Sequence, residues 1–255
     1  MNWFKILGIF LSLLLAIPVL FLIYMGFFVF RSPQAFSQAF YSGVELSVLS
    51  SAAAAGADFV LFTPLAYYLS RQKDFLTDSL VDVPASIPHP IVGVALVFLD
   101  SPYSPFYSVL KGLGINFFDT YCGLIAALVI VSAPIYIRSM KNFFDSMPRV
   151  YEEYARSLGA GIGRVYLMVM RNSLRGALSS ALTSMSRAMS EFGSIAIVAY
   201  YVLYGPLAGT SPASILIYEY YGYYGPKVAV TASAIMIVVG IVILVSLKVV
   251  QYLKK

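Results

Sequence analysis

RVYEEYARSLGAGIGRVYLMVMRNSLR, from Arg149 to Arg175, is a charged, glycine-punctuated segment between two long apolar stretches of a chain that otherwise avoids charge. In a membrane protein, basic residues gathered into one loop mark the cytoplasmic side. Within the segment, Glu153-Tyr154-Ala155-Arg156-Ser157-Leu158-Gly159 has the spacing of a short amphipathic helix. Pro148 suits a first helical position, Gly159 suits the residue just past the end, and Val150, Tyr154 and Leu158 recur every four residues on one face. On the opposite face Arg149 with Glu153, and Glu152 with Arg156, stand one turn apart. Each such pair is worth roughly 0.2–0.5 kcal/mol, and this charged face is free to stay wet or to meet a partner.

Outward from this loop the chain is strongly apolar. Of its 255 residues 60% are hydrophobic and 11% charged, with a mean hydropathy of +0.81; soluble domains hold about 45–50% apolar residues. Read against the roughly 20 apolar residues of a membrane helix, the charge-free intervals predict an all-α polytopic bundle of six spans. These are Ile6 to Phe30, Val44 to Leu69, about Ala85 to Leu99, the interval between Asp119 and Arg138, Ser173 to about Val202, and Val228 to Leu247. The first apolar run exceeds the 7–15 residues of a cleaved signal's core, so it is expected to be retained as a span.

Orientation follows from lysine and arginine placement. With the amino terminus inside, the inner regions hold Lys5, Arg71, Lys73, the seven basic residues from Arg138 to Arg175, and Lys248, Lys254 and Lys255, leaving Arg31, Lys111 and Lys227 outside. Both termini are therefore expected to be cytoplasmic. The net charge of +5 then reflects topology and an anionic inner leaflet; no basic stripe with interleaved aromatics suggests nucleic acid.

The loop resembles the E-A-A-x-x-x-G loop of permease subunits of ATP-binding cassette importers. Glu153, Ala155 and Gly159 fill that motif, while Tyr154 replaces its first alanine and Arg171-Asn172 stands where the family commonly has Leu-Pro. Three further stretches, Thr63-Pro64-Leu65-Ala66-Tyr67, Asp82 through Pro90, and Arg187-Ala188-Met189-Ser190-Glu191-Phe192-Gly193, are similar in order and spacing to molybdate and tungstate permeases, with sulfate permeases close behind. The resemblance implies a type I importer permease: a single transmembrane domain over residues 1–255, with a cytoplasmic coupling loop at about 141–172. In that family the loop seats on a separate ATPase subunit, so Glu153, Ala155, Arg156 and Gly159 are the expected coupling residues. It further implies a homodimer, two ATP-binding cassette ATPase subunits that bind ATP and Mg, an extracytoplasmic substrate-binding protein, and a plasma-membrane location. Carrying a dianion into a negative-inside cell costs about 4.6 kcal/mol per 100 mV, so entry of such cargo has to be driven.

The fifth span carries the polar residues that such a path requires. Ser180, Thr183, Arg187, Ser190 and Ser194 fall on one helical face at offsets of 0, 3, 7, 10 and 14. Arg187 should face protein or water, because a charge at the bilayer centre costs roughly 2.5–3.5 kcal/mol or more. Glu191, one turn later, can pair with it, so two readings stand together: a structural ion pair, and a translocation path of Thr183, Arg187, Ser190 and Glu191 in which a passing oxyanion exchanges for the glutamate. Asp58 shares this ambiguity.

Elsewhere the residues argue for no chemistry in this chain. Cys122 is alone, and His89, between Pro88 and Pro90, is expected to serve a bend at the start of the third span. Gly159 to Arg164 lacks phosphate-loop spacing, so no ATP-binding site or other resident cofactor is expected. Two outer loops, Ser101 to Phe118 and the five tyrosines of Tyr218 to Tyr224, suit an aromatic belt or a docking partner. The reading is a permease subunit that is not itself an enzyme and imports molybdate or tungstate. The alternatives are a sulfate or thiosulfate permease, an ion-coupled carrier using Arg187, Glu191 and Asp58, and, remotely, a membrane enzyme.

Overall fold

The computed structural model describes residues 2–205 and 207–252; Lys254 and Lys255, counted above among the inner-side charges, lie outside them. Helix α1 (Asn2–Tyr24) continues through a π-helical turn at Met25–Phe30. Helix α2 (Gln38–Arg71) opens on Ser37, whose hydroxyl accepts the Phe40 N–H at 3.2 Å. Its 34 residues span about 51 Å at 1.5 Å per residue. Pro64 lies inside it and cannot donate to the preceding turn. The adjacent Thr63 hydroxyl bonds the Phe59 carbonyl and meets the Tyr136 hydroxyl at 2.6 Å, which ties this helix to Tyr136.

Helix α3 (Phe75–Ser86) is capped by Asp74, whose carboxylate accepts from Leu76 and Thr77 N–H, each at 3.2 Å. Helix α4 (His89–Leu99) follows at an angle of 101°. The break falls at Ile87, which is extended as the residue before a proline must be. The third span is therefore not one helix over Ala85 to Leu99. The eleven residues of α4 reach only about 16 Å, half of the roughly 30 Å apolar core. Arg138 holds α3 in place, with Nη1 2.6 Å from Asp78 and Nη2 2.5 Å from Asp82.

The short α5 (Tyr107–Gly112) lies in the turn-rich connection to α6 (Tyr121–Asp145), where the Thr120 hydroxyl caps Gly123 N–H at 3.1 Å. Then come α7 (Val150–Ser157), α8 (Ile162–Met189), the single turn α9 (Ile195–Val198), α10 (Ala213–Tyr224) and α11 (Pro226–Tyr252). Among the described residues the extended pairing amounts to an isolated bridge, Val202 with Thr210.

Helices α2, α6 and α8 pack together at the centre. One core, built from Leu46, Leu124, Leu128, Val131, Val92 and Ile195, joins them to α4 and α9. Another, with Leu69, Tyr136, Met140, Phe144 and Val169, lies toward the α7 end. Helices α10 and α11 cover the start of α2 through Phe40, Leu216, Tyr220 and Val228. Helix α1 touches α11 and is otherwise exposed along its apolar length.

Among the described residues four helices are long and apolar enough to cross a membrane, and the bent α3–α4 pair makes a fifth candidate. The predicted fifth span requires correction. Its helix, α8, starts at Ile162, not Ser173, and ends at Met189 instead of continuing toward Val202. The helix takes in Arg164 and Arg171 of the expected coupling loop as well as Arg175, and this charge makes it too polar for a span on composition alone. It also runs unbroken through Arg171-Asn172, the site of the missing Leu-Pro. Beyond Met189, Glu191 takes the Ser194 N–H at 2.9 Å, and Asp119 holds the following strand-like stretch by accepting from Leu203 N–H and donating to the Val198 carbonyl. A second correction concerns Tyr218 to Tyr224: they form the last two turns of α10, not an outer loop, because nothing before Gly225 breaks the helix.

Candidate functional site

Two elements bring the charges of the predicted third and fifth spans together. Arg187 occupies the last turn of α8, Ser190 caps it and Glu191 follows at once, while His89 is the first residue of α4. Arg187 Nη2 lies 3.2 Å from Glu191 Oε2, and the same oxygen lies 3.0 Å from His89 Nδ1. The guanidinium nitrogen is also 2.9 Å and 3.0 Å from the two ring nitrogens of His89, and Nη1 donates to Ser190 Oγ at 3.2 Å. The other carboxylate oxygen of Glu191 accepts from the backbone N–H and hydroxyl of Ser194, at 2.9 and 3.0 Å.

Exposure orders these groups. The Glu191 side chain is 1% exposed, against 22% for Arg187 and 32% for His89. The carboxylate thus sits at the back of the cluster, and the two nitrogenous side chains form its accessible front. The approach of α4 that makes this possible depends on Gly93. A Cβ there would stand 2.4 Å from the Ser194 carbonyl oxygen and 2.9 Å from Ile197 Cβ.

The predicted polar stripe does not act as one surface. Arg187, Ser190 and Glu191 meet, but Thr183 donates to its own backbone at Ser179, 2.9 Å away, and takes no part in the cluster. Ser180 faces Ser139 of α6 at 2.9 Å, and Ser184 turns into the core onto Asp58. The reason is the end of α8 at Met189, which takes Ser190 and Ser194 off the helical face. Asp58 is fully buried, with Oδ2 accepting from Ser132, at 2.7 Å, and from Ser184, so it ties α2, α6 and α8. Its Oδ1 has no hydrogen-bond partner among the described residues. The sequence reading missed His89 as a cluster member. Its proline-flanked position predicted the bend, but nothing local signals a contact with a residue 98 positions away.

At the opposite end of α8, α7 is the predicted amphipathic helix, with its apolar side chains outward and one of its charges turned in. Val150, Tyr151, Tyr154 and Leu158 are 59–72% exposed, whereas Glu152 is buried. Neither expected intrahelical pair forms the attachment. Glu152 bonds Arg71 of α2 at 2.6 Å and accepts from the Tyr67 hydroxyl at 2.8 Å, and Arg149 donates to the Ser70 carbonyl at 2.9 Å. A fixed guanidinium on a neighbouring helix outcompetes a solvated partner one turn away, which must be ordered for a few tenths of a kcal/mol. Pro148 lies just ahead of the helix, with Arg149 as its N-cap.

Of the expected coupling residues, Glu153 and Arg156 are exposed and Ala155 is half-buried. Gly159 stops the helix as predicted, at φ +81, with its N–H on the Arg156 carbonyl and the Ala160 N–H on that of Ala155. These are the two bonds of a Schellman motif, which needs a left-handed residue at this position. Arg156 also borders an open cleft of about 780 Å³ between the end of α2 and the start of α8, shared with Tyr67, Tyr68 and Tyr166.

Burial alone would raise the Glu152 carboxyl, but the Arg71 guanidinium and Tyr67 hydroxyl outweigh it and hold the group below its ordinary value of 4.5. A depressed folded value means that the stabilisation is complete above 4.5 and is lost as pH falls through the folded value. Amide hydrogen exchange of residues 150–158, corrected for intrinsic rates, is therefore expected to stay flat from neutral pH down to about pH 5 and to accelerate below about pH 4. Flat protection to lower pH would show that the Glu152 contact does not hold α7.

The sequence compares with known proteins in the same sense. Residues 60–253 match the family model of the binding-protein-dependent transport system inner membrane component. The molybdate/tungstate transport system permease protein WtpB of Thermococcus kodakarensis is 36% identical over 163 residues, covering 62% of this chain and 60% of that protein. The protein of the same name from Pyrococcus abyssi is 32% identical over 205 residues, 78% of this chain and 77% of the relative. A probable sulfate transport system permease protein, cysT, of Chlorella vulgaris is 30% identical over 161 residues, 63% and 57% of the two chains.

Proposed function

We propose, since the chain belongs to the family of binding-protein-dependent transport system inner membrane components, that two copies of it form the path by which an importer carries molybdate or tungstate across the plasma membrane. The family is that of membrane permease components of ATP-binding cassette transporters, and the chain is a multi-pass protein of that class. In the proposed assembly both termini are cytoplasmic, two ATPase subunits bind ATP and Mg and seat on α7, and an extracytoplasmic binding protein delivers the cargo.

The observation that carries the reading is the cluster of His89, Arg187 and Glu191. A tetrahedral oxyanion is recognised by N–H donors with positive charge. Arg187 supplies the charge and, with His89, the N–H groups at the exposed front, and Glu191 neutralises the guanidinium from behind while the path is empty. An arriving anion can take the Arg187 contact, and Glu191 keeps its two bonds to Ser194. The cargo assignment follows the names of the archaeal relatives. Sulfate is the second reading, from the likeness to the algal sulfate permease.

The test is uptake by proteoliposomes holding the chain with its ATPase and binding protein. ATP-dependent accumulation of molybdate is expected, competed by tungstate at lower concentration than by sulfate. Stronger competition by sulfate would reassign the cargo. Accumulation by vesicles holding the chain alone would favour an ion-coupled carrier and overturn the assignment.

A further inference from the structure

We propose that Arg71, at the end of α2 and outside the loop, is the positioning residue that receives the movement of α7 and passes it to α2 and α6. This rests on the importer reading above. Arg71 Nε and Nη2 both reach Glu152 Oε1, at 2.9 and 2.6 Å, while Glu152 Oε2 is held by the Tyr67 hydroxyl at 2.8 Å. The remaining nitrogen, Nη1, donates to the Phe144 carbonyl at 3.1 Å and to Ser70 Oγ at 3.2 Å. One guanidinium thus joins the ends of three helices: its own α2, α6 through Phe144, and α7 through Glu152.

The joint is stiff. The Arg71 and Glu152 side chains are 10% and 6% exposed. Arg71 lies over the Tyr67 ring at 5.3 Å, and that ring packs edge-on against Phe144 and Tyr166 at 5.4 and 5.3 Å. Although Arg71 and Tyr67 border the open cleft at the start of α8, the guanidinium is committed to Glu152, Phe144 and Ser70, and a group so held and packed transmits displacement better than a solvated pair free to rotate into water. The Arg138 pairs with Asp78 and Asp82 make the contrast, with side chains 32–50% exposed.

The connected groups lead to the charge cluster. Helix α2 runs from Arg71 back to Asp58, and α6 from Phe144 back to Ser132; there the hydroxyls of Ser132 and of Ser184 on α8 both donate to the Asp58 carboxylate. Ser184 stands one turn before Arg187. The route from α7 to Arg187 therefore runs through the Arg71 joint, along the helices α2 and α6, and across the hydrogen bonds at Asp58 into α8.

The experiment uses the full complex in proteoliposomes, measuring ATP hydrolysis and uptake together. Arg71→Ala and Glu152→Ala are each expected to lower the cargo moved per ATP about tenfold, within the range typical of coupling free energies, with ATPase copurification retained. The double variant should be no worse than either single one, because the two groups act as a unit. In a Cys122→Ser background, Arg71→Cys with Glu152→Cys, bridged by a short reducible bis-thiol cross-linker, should regain uptake per ATP and lose it on reduction. Additive losses, loss of the ATPase from the single variants, or a bridged complex that hydrolyses ATP without regained uptake would each overturn the proposal. Should the unaltered complex show no ATP-dependent uptake, the importer reading falls as well. Should it transport while the variants match it, only the role of Arg71 is wrong.

Discussion

Glu191→Ala is expected to lower the stability of the folded chain by about 3–5 kcal/mol, the usual cost of removing one partner from a buried ion pair. The value should fall toward the lower figure because Arg187 keeps 22% of its side-chain surface. The substitution removes the acceptor of both the Ser194 N–H and hydroxyl, which shape the turn after α8, and it leaves Arg187 beside His89 without a counter-charge. Thermal unfolding in detergent should show a large drop for Glu191→Ala and a much smaller one for Glu191→Gln, which keeps the volume and an acceptor. Arg187→Gln separates the two readings of the pair. Glu191 there keeps its bonds to Ser194 and His89 but loses its counter-charge, so the chain should be destabilised yet still fold, while uptake by the folded fraction falls roughly ten- to hundredfold, as expected for loss of a charge-assisted hydrogen bond of about 1.5–3 kcal/mol. A destabilised Arg187→Gln chain whose remaining folded fraction transports normally would make the pair structural only.

Tyr154→Asp with Leu158→Asp is expected to abolish assembly with the ATPase subunit while membrane insertion is unaffected. These side chains are 67% and 72% exposed on the outer face of α7, beside Val150 and Tyr151. Exposed apolar surface of this kind on a helix fixed by a buried ion pair marks a docking face. Central aromatic and aliphatic anchors of interfaces typically cost about 2 kcal/mol or more on truncation. Two carboxylates in such a seat should therefore weaken binding by well over about thirtyfold. Copurification of a tagged chain with the ATPase, followed by uptake, reads both effects. Undiminished copurification would place the ATPase contact elsewhere, on the exposed charges of Glu153 and Arg156. The charged face was expected to be the outer one; Glu153 and Arg156 do lie outside, but Arg71, not visible from within the loop, turns Glu152 inward and the apolar side chains are exposed as well.

The class of the protein, its helical architecture and the position of its loop were legible in the order of residues, because membrane insertion is governed by local quantities. Run length against bilayer thickness, basic residues near span ends, and a glycine after an amphipathic turn all act over a few residues. Hence α1, α2, α6 and α11 lie where the apolar runs put them, and Gly159 ends α7 as its spacing required. Tertiary structure decided the rest through contacts between residues far apart in the chain. The bend at Ile87 brings His89 to Arg187, the turn held by Glu191 and Ser194 cuts α8 short, Asp58 finds Ser132 and Ser184, and Arg71 takes Glu152 from its local partner. Each buried charge had to be matched by whichever group lay nearest in space, since in a dry interior an unmatched one costs several kcal/mol, and nearness in space is set by packing, not by sequence spacing.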